Sequence, residues 1–247
     1  MKTINAFALL SFSVLFASGC TMTQQVADTQ FRPPSGQYRV IVMQPAISVG
    51  VLTAGGLVEP RQDWTDQARA NILAALNQQQ LQRGGDITIA KTQAEAGGNP
   101  DEVADLVFLH NAVGEAIKTH KYAGLALPTK SGKFDWTLGS EAVDYGQQTH
   151  YDYALFVRAA DSFSSGGRVA LQAMAMVGCA FGVCAMPTGG QQFAYASLVD
   201  LKTGQVVWFN TLASTVGDIR TADGAKKMVD GLLSTMKPGK AQATNKT

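Results

Sequence analysis

The sequence predicts an α/β protein in which helices pack against a mixed sheet within a single domain. Strand-like segments alternate with segments of helical periodicity, in the order strand, helix, strand, helix, helix, strand, hairpin, helix. Residues 153–157 form a continuous apolar run of strand length, which is typical of a strand covered on both faces. With 247 residues and 46% hydrophobic side chains, the chain is long enough to bury one core.

The first residues have the three-part layout of a secretory signal. One positive charge, Lys2, precedes an apolar run over residues 6–17, and small residues follow before Cys20. We expect four regions: a signal peptide over residues 1–19, a polar tether over 20–37, a folded domain over 38–236 and a disordered tail over 237–247.

The first strand and helix follow the tether. Residues 39–43 are a β-branched run that Pro45 ends, and they are the expected first strand. Residues 46–58 are uncharged and contain glycines, so we expect a flexible loop. Asp63 is the expected N-cap of an amphipathic helix over residues 63–81. Its inner face carries an apolar residue every four positions: Trp64, Ala68, Ile72 and Leu76.

A second strand and two helices come next. Residues 86–90 are the expected strand, and Asn99 is the expected cap of the helix that follows. The inner face of that helix holds Val103, Leu106, Val107, His110 and Ile117. His110 is therefore expected to be a core or boundary histidine rather than a ligand. Residues 119–139 lack a period and are expected to be a long loop before a short helix capped by Ser140.

The C-terminal half supplies the centre of the sheet and a hairpin. We place residues 153–157 at the centre of the sheet. Residues 193–198 and 206–210 are expected to pair as a hairpin, with Gly204 in a left-handed conformation in the turn. The last helix, over residues 221–236, presents Ala225, Met228, Val229 and Leu232 on one side.

Residues 169–186 contain no charged side chain. Their length is at the edge of a membrane span, but their Ala and Gly content favours a hairpin or a helix packed on the core. Cys179 and Cys184 are candidate disulfide partners in an oxidising compartment. Five helical residues rise about 7.5 Å, beyond disulfide reach, so a bridge predicts a hairpin and a helix predicts free thiols. We favour the disulfide-closed hairpin.

The sequence carries no motif of a familiar catalytic site. It has no Gly-x-Ser-x-Gly elbow, phosphate loop or dinucleotide fingerprint, and its 3 histidines lack metal-type spacing. Asp152, Arg158 and Asp161 are expected to lie together near the central strand, where an ion pair or turn cap is favoured over acid–base chemistry. We assign no catalytic residue, metal or cofactor.

The charge balance argues against two kinds of partner. Removal of residues 1–19 takes away one of 20 basic side chains, Lys2, and leaves the remainder balanced against 19 acidic ones. Binding to nucleic acid or to an anionic lipid surface uses clustered Lys and Arg, so neither partner is expected.

The segment Leu-Phe-Ala-Ser-Gly-Cys, which ends at Cys20, resembles the lipobox of exported bacterial lipoproteins. The resemblance implies cleavage before Cys20, a diacylglycerol on its thiol and a further acyl chain on its amine. Multiple acylation would anchor the chain permanently in a bilayer. In such lipoproteins, an Asp directly after the lipidated cysteine implies retention at the inner membrane. Thr21 occupies that position here, so the resemblance implies the outer membrane, facing the periplasm. The alternative is a plain cleaved signal with a chance cysteine.

The domain resembles a group of envelope lipoproteins over residues 38–236. The resemblance rests on the first strand and the Trp64 helix, on residues 152–157, and on the hairpin over 200–208. The group comprises lipoproteins related to the curli-secretion channel subunit, the amino-terminal domain of TolB, and lipoprotein activators of penicillin-binding proteins. Residues 119–139 and 169–186 depart from its pattern.

Three functions compete at this stage. The first is a non-enzymatic module that binds an envelope protein, itself or an envelope polymer during assembly or transport. The second is a subunit of an oligomeric outer-membrane export channel, prompted by residues 169–186 and by the channel-subunit resemblance. The third is a hydrolase whose site is assembled from distant residues.

Overall fold

A computed structural model of the chain describes residues 22–26, 38–83, 86–131, 133–213 and 217–236. The predicted signal peptide, Cys20 and the predicted tail over 237–247 lie outside the described residues. The strands are β1 (Met22–Val26), β2 (Arg39–Val42), β3 (Ala46–Leu52), β4 (Val58–Pro60), β5 (Asp86–Ile89), β6 (Tyr153–Ser164), β7 (Gln192–Asp200) and β8 (Val206–Ala213). The helices are α1 (Gln62–Arg83), α2 (Pro100–Ile117), α3 (Gly139–Thr149), α4 (Gly166–Ala180) and α5 (Ala222–Leu233).

The described strands form one mixed sheet, which confirms the predicted α/β class. The main order is β1-β8-β7-β6-β2-β5, and β3 pairs with β6 and β4. The β2–β5, β2–β6 and β3–β6 pairs are parallel, and the others are antiparallel. Because β2 and β3 lie end to end along one side of β6, the long strand β6 is the centre of the sheet, as predicted for residues 153–157.

Helices cover both faces of the sheet and enclose two apolar layers. Side chains alternate along β6, so Leu155 and Val157 face the layer with α1 and α5, and Phe156 faces the layer with α2 and α3. Trp208 is buried in the first layer and Tyr195 in the second. The domain is therefore a three-layer α/β structure whose central strand is buried on both sides.

Several sequence predictions are confirmed at the level of single elements. The Trp64 helix is α1, and its predicted inner residues Ala68, Ile72 and Leu76 are buried. Asn99 caps α2, because its side chain accepts a hydrogen bond of 3.0 Å from the Asp101 amide. Strands β7 and β8 form the predicted hairpin, and Gly204 in its turn has φ +72°.

The loop predicted over residues 46–58 is wrong, because this segment contains β3 and reaches β4. β3 alternates with its apolar side chains inward, and Ile47, Val49 and Leu52 are buried. Gly50 lets β4 approach closely, since a Cβ atom there would lie 2.6 Å from the Glu59 carbonyl oxygen. The glycines that indicated flexibility therefore permit tight strand pairing.

Part of the predicted tether also forms a strand. Residues 22–26 are β1, which pairs antiparallel with β8 at the edge of the sheet. Pairing along an edge is a backbone interaction, so it does not require the apolar pattern that predicts a buried strand. The rest of the tether, residues 27–37 included, lies outside the described residues.

Two predicted helix caps are displaced. α1 begins at Gln62, and the carboxylate of Asp63 accepts hydrogen bonds from Arg61 of 3.0 and 3.1 Å instead of acting as the N-cap. Ser140 lies inside α3, whose N-cap position is Leu138. There the amide of Gly139 donates to Thr137 Oγ1 over 3.0 Å, so a side chain before the helix accepts from its first amide.

Candidate functional site

The described surface has one outstanding apolar feature between β6 and β7. It consists of α4 and of residues 181–190, which return from the end of α4 to β7, and we call it the protrusion. None of the residues of α4, all of which the structure describes, is buried. Met176 keeps 65% of its surface exposed and Phe181 keeps 83%. The other large apolar side chains exposed here are Val169, Leu171, Met174, Val177, Val183 and Met186.

Polar contacts hold the base of the protrusion in place. Ser165 caps α4, because its Oγ accepts a 3.1 Å hydrogen bond from the Arg168 amide. The guanidinium of Arg168 donates to the carbonyl oxygens of Thr188, over 2.9 Å, and Ala54, over 3.2 Å. Farther along the helix, Gln172 donates to the Pro187 carbonyl oxygen over 3.2 Å. These bonds join α4, the returning segment and the β3–β4 loop into one unit.

A disulfide closes the far end of the protrusion. Cys179 and Cys184 are bonded, as favoured from the sequence, but the predicted hairpin is wrong because Cys179 lies in α4. The sequence predicted either a disulfide or a helix. Both are present, because the helix ends between the two cysteines. Gly182, with φ +86°, reverses the chain there, and the Val183 amide donates back to the Gly178 carbonyl oxygen over 3.0 Å.

The β3–β4 loop extends the apolar surface at the base of the protrusion. Exposed Leu57 in this loop and exposed Val58, the first residue of β4, follow Ala54, whose carbonyl oxygen accepts from Arg168. The two segments are next to each other because β3 and β6 are parallel, with Leu52 opposite Ser164, so both strands end at the same edge. The exposed apolar residues thus come from two connections at one end of the sheet, β3 to β4 and β6 to β7, the second of which contains α4.

The helix of the protrusion is short compared with the thickness of a bilayer. Within the described parts of the chain, no helix combines the length and apolar character needed to span a bilayer. α4 has 15 residues, a length of about 22 Å, against a hydrocarbon core of about 30 Å. Contiguous exposed apolar residues bordered by polar groups are typical of interaction sites.

The sequence predicted that this segment is covered, but not which surface covers it. The lack of charge over residues 169–186 indicated burial, and we expected burial against the core of the same domain. α4 has no charged face that would turn toward water, so the pattern is that of a helix covered on all sides. That pattern does not say whether the covering surface belongs to the same domain. Leu57 and Val58 were missed because the glycines around them indicated a loop.

The predicted group of Asp152, Arg158 and Asp161 does not form. Asp152 lies before β6, where it pairs with Lys202 Nζ over 2.9 Å and accepts from the Arg39 amide over 2.9 Å. The bond from Lys202 lowers the pKa of Asp152. Arg158 and Asp161 point to opposite faces of β6 because three positions separate them on a strand. The group is therefore no acid–base pair, and Asp152 forms the strand-end ion pair that was favoured.

Asp161 is a buried carboxyl group with a raised pKa. It is 7% exposed, and its Oδ2 accepts a 2.8 Å hydrogen bond from Gln192. Burial is the main cause that raises its pKa to about 6, and nearby Asp218 adds to the rise while Arg220 opposes it. Its neighbours are structural, since Gln192 also donates to the Gly217 carbonyl oxygen over 2.8 Å. Asp161 therefore joins β6 and β7 to the segment before α5.

His110 is a core histidine, as predicted. It is 2% exposed, hydrogen-bonds through Nε2 to Ser197 Oγ over 2.6 Å, and stacks on Phe156 with ring centroids 4.1 Å apart. Burial lowers the pKa of His110 to about 3, so the ring is neutral at ordinary pH. Groups of three potential metal ligands are absent from the described residues.

Fold and site together define a single-domain α/β protein whose distinctive described surface is an apolar, disulfide-closed protrusion. No family model and no curated protein matches the chain.

Similar solved structures include two PelC dodecamers from Paraburkholderia phytofirmans. The first is 13% identical with a TM-score of 0.36, over 89% of this chain and 99% of that one. The second is 12% identical with a TM-score of 0.34, over 81% and 89%. The LpoB C-terminal domain from Salmonella enterica is 15% identical with a TM-score of 0.27, over 74% and 86%. Likenesses at this level are too weak to assign a family or a function.

Proposed function

We propose that this chain is a lipid-anchored protein of the bacterial outer membrane that acts as a non-enzymatic accessory module in the periplasm. Its working surface is the protrusion, through which the domain contacts another component of the envelope. The observation that carries the proposal is the exposure of the large apolar side chains on α4 and on its returning segment.

Exposed apolar surface is costly unless something covers it. Burial of apolar area contributes roughly 25 cal/mol per Å², so a surface with Met176, Val177 and Phe181 in water leaves a substantial contribution unused. The base bonds of Arg168 and the disulfide hold this surface in one shape. A held apolar surface supports a binding role, because less conformational entropy is lost on contact.

The contacts of the polar side chains also support the proposal. Asp152 and Asp161, the carboxyl groups considered for acid–base work, and His110, considered as a ligand, each have a partner within the domain. The disulfide supports export, because such bonds persist in oxidising compartments such as the periplasm. The lipobox that ends at Cys20 supports attachment to the membrane.

Photo-crosslinking in native envelopes tests this proposal. Cells would express the full chain with p-benzoylphenylalanine in place of Met176, and a matched chain would carry it at Thr203 in the exposed β7–β8 turn. We expect adducts with an envelope component from position 176 and few from position 203. Equal, background-level adduct formation at both positions would show that the protrusion has no contact. Adducts between copies of the chain would favour the channel-subunit function.

A further inference from the structure

The register of the sheet places Met22, the first residue of β1, at the end of the sheet from which the protrusion leaves. In β1, Met22 lies opposite Ala213 of β8, and Ala213 lies opposite Phe193 of β7. Phe193 lies opposite Ala160 of β6, so Met22 is at the level of Ala160. β6 ends four residues later, at Ser164, and the exposed helix α4 begins at Gly166. The chain therefore enters the sheet at the end from which the protrusion leaves it.

This register limits the distance between Cys20 and the protrusion. Cys20 is two residues before Met22, and two residues span at most about 7 Å. Two strands, β8 and β7, separate β1 from β6, which makes three strand spacings of about 4.8 Å, or roughly 14 Å. Acyl chains on Cys20 would therefore enter a bilayer next to the base of α4 and the β3–β4 loop.

We propose that the protrusion docks into the same bilayer that holds the acyl chains of Cys20, so that α4, its tip and the β3–β4 loop lie in the interfacial region of the membrane. This inference rests on the proposed function, of which it specifies the partner. The occupant is the phospholipid surface, and the domain stands with the β7–β8 turn directed away from it. That turn is roughly 36 Å from the protrusion, since β6 has 12 residues that rise about 3.3 Å each.

The chemistry of the protrusion suits an interfacial position. Its exposed residues over 169–186 are uncharged, so insertion removes no ionised group from water. The helix satisfies its own backbone hydrogen bonds, but residues 183–190 have no regular secondary structure. Backbone groups outside helices and sheets cannot enter the hydrocarbon core without partners, which limits the depth to the headgroup boundary, about 5–10 Å. Arg168, whose guanidinium is held at the base, marks the polar limit of the inserted surface.

A lipid contact explains the composition better than a charged partner would. Recruitment by anionic headgroups uses Lys and Arg, whereas Met174, Met176 and Phe181 are flexible or aromatic apolar groups that fit among disordered acyl chains. Attachment by Cys20 would supply the affinity, and the protrusion would fix the orientation of the domain. The anchor raises the local concentration of the membrane surface, so a modest apolar contact is sufficient.

The first experiment uses the purified, acylated full-length mature chain in vesicles of phosphatidylethanolamine and phosphatidylglycerol. p-Benzoylphenylalanine replaces Met176, or Thr203 as the control at the opposite end of the sheet. We expect at least tenfold more phospholipid adducts from position 176, read by mass spectrometry. Adducts with a second copy, or an equal yield of lipid adducts from both positions, would overturn the inference. Protein adducts in native envelopes would also overturn it while leaving the proposed function intact.

A second experiment separates the protrusion from the anchor. The mature chain with Cys20→Ser, which lacks acyl chains, is floated with the same vesicles, with and without the changes Met174→Ser, Met176→Ser and Phe181→Ser. We expect these changes to lower the bound fraction at least tenfold, because they remove three large apolar side chains that would leave water. Phe108→Ser is the matched control, since Phe108 is 76% exposed on α2. Equal flotation of all variants, or no flotation of the parent chain, would contradict membrane docking.

Discussion

The protonation of Asp161 couples the stability of the domain to pH. Its pKa in the folded chain is about 6, against an ordinary value of 3.8. The folded state therefore binds a proton more readily than the unfolded state. The stabilisation from this group is fully present below about pH 4 and is lost as the pH rises through about 6. At roughly 1.4 kcal/mol per unit, the loss is about 2 to 3 kcal/mol.

Asp161→Asn should remove this dependence on pH. Asn keeps an oxygen that can accept from Gln192 and carries no charge to desolvate, so the variant should be more stable than the wild type at pH 7.5 by about 2 kcal/mol. At pH 4 the two should be nearly equal. Urea unfolding at both pH values measures the difference. A constant stability difference across this range would show that Asp161 is not the titrating group.

Gly204 is a second residue whose conformation can be tested. Its φ is +72°, and a Cβ atom there would lie far inside contact distance of the Gly139 carbonyl oxygen. Gly204→Ala should lower the free energy of unfolding by about 2 kcal/mol through backbone strain and this clash. Thr203→Ala, at the neighbouring exposed position, should change it little. Chemical denaturation of both variants provides the comparison, and equal midpoints would remove the strain argument.

At the scale of elements, the disulfide belongs to the protrusion rather than to the core. Because α4 has no buried residue, replacement of Cys179 and Cys184 by Ser should leave the domain folded, with a melting temperature within about 2 °C of the wild type. Closing so short a loop contributes about 2 kcal/mol, and this should appear locally as faster hydrogen exchange over residues 178–186. In the unreduced wild type, neither cysteine should take an alkylating agent. Alkylation of both would show that the bridge is absent.

The elements also show which parts of the fold could be predicted from the sequence. α1, α2 and the β7–β8 hairpin were predictable because local periodicity and turn residues specify them. β3 was not, because its pairing with β6 and the close approach of β4 at Gly50 are tertiary contacts that override local composition. The exposed position of α4 was not predictable either, since apolar composition indicates that a helix is covered but does not identify the covering surface.

For the whole molecule, the two ends of the sheet have different properties. The end with the β7–β8 turn carries the ion pair of Asp152 with Lys202, whose ammonium is mostly exposed. The opposite end carries the protrusion, with Leu57 and Val58 beside its base. The buried core lies between the two ends. The exposed apolar side chains of the protrusion thus lie at the end of the sheet opposite the β7–β8 turn, which would suit a molecule held against a surface at that end.

The proposed lipid anchor is the feature of the whole molecule that can be tested most directly. Cys20→Ser removes the thiol that would take the diacylglycerol, so the chain should accumulate as an uncleaved precursor without acyl label. The wild type should be cleaved, take up labelled fatty acid and sediment with outer-membrane markers in a density gradient, because Thr21 rather than Asp follows the cysteine. Several acyl chains bind a membrane more strongly than the protrusion alone, so a version of Cys20→Ser exported by an ordinary signal peptide should wash off membranes more readily than the wild type while it still floats with vesicles. Normal cleavage and acylation of Cys20→Ser would overturn the lipoprotein assignment, and wild-type protein in inner-membrane fractions would overturn the location.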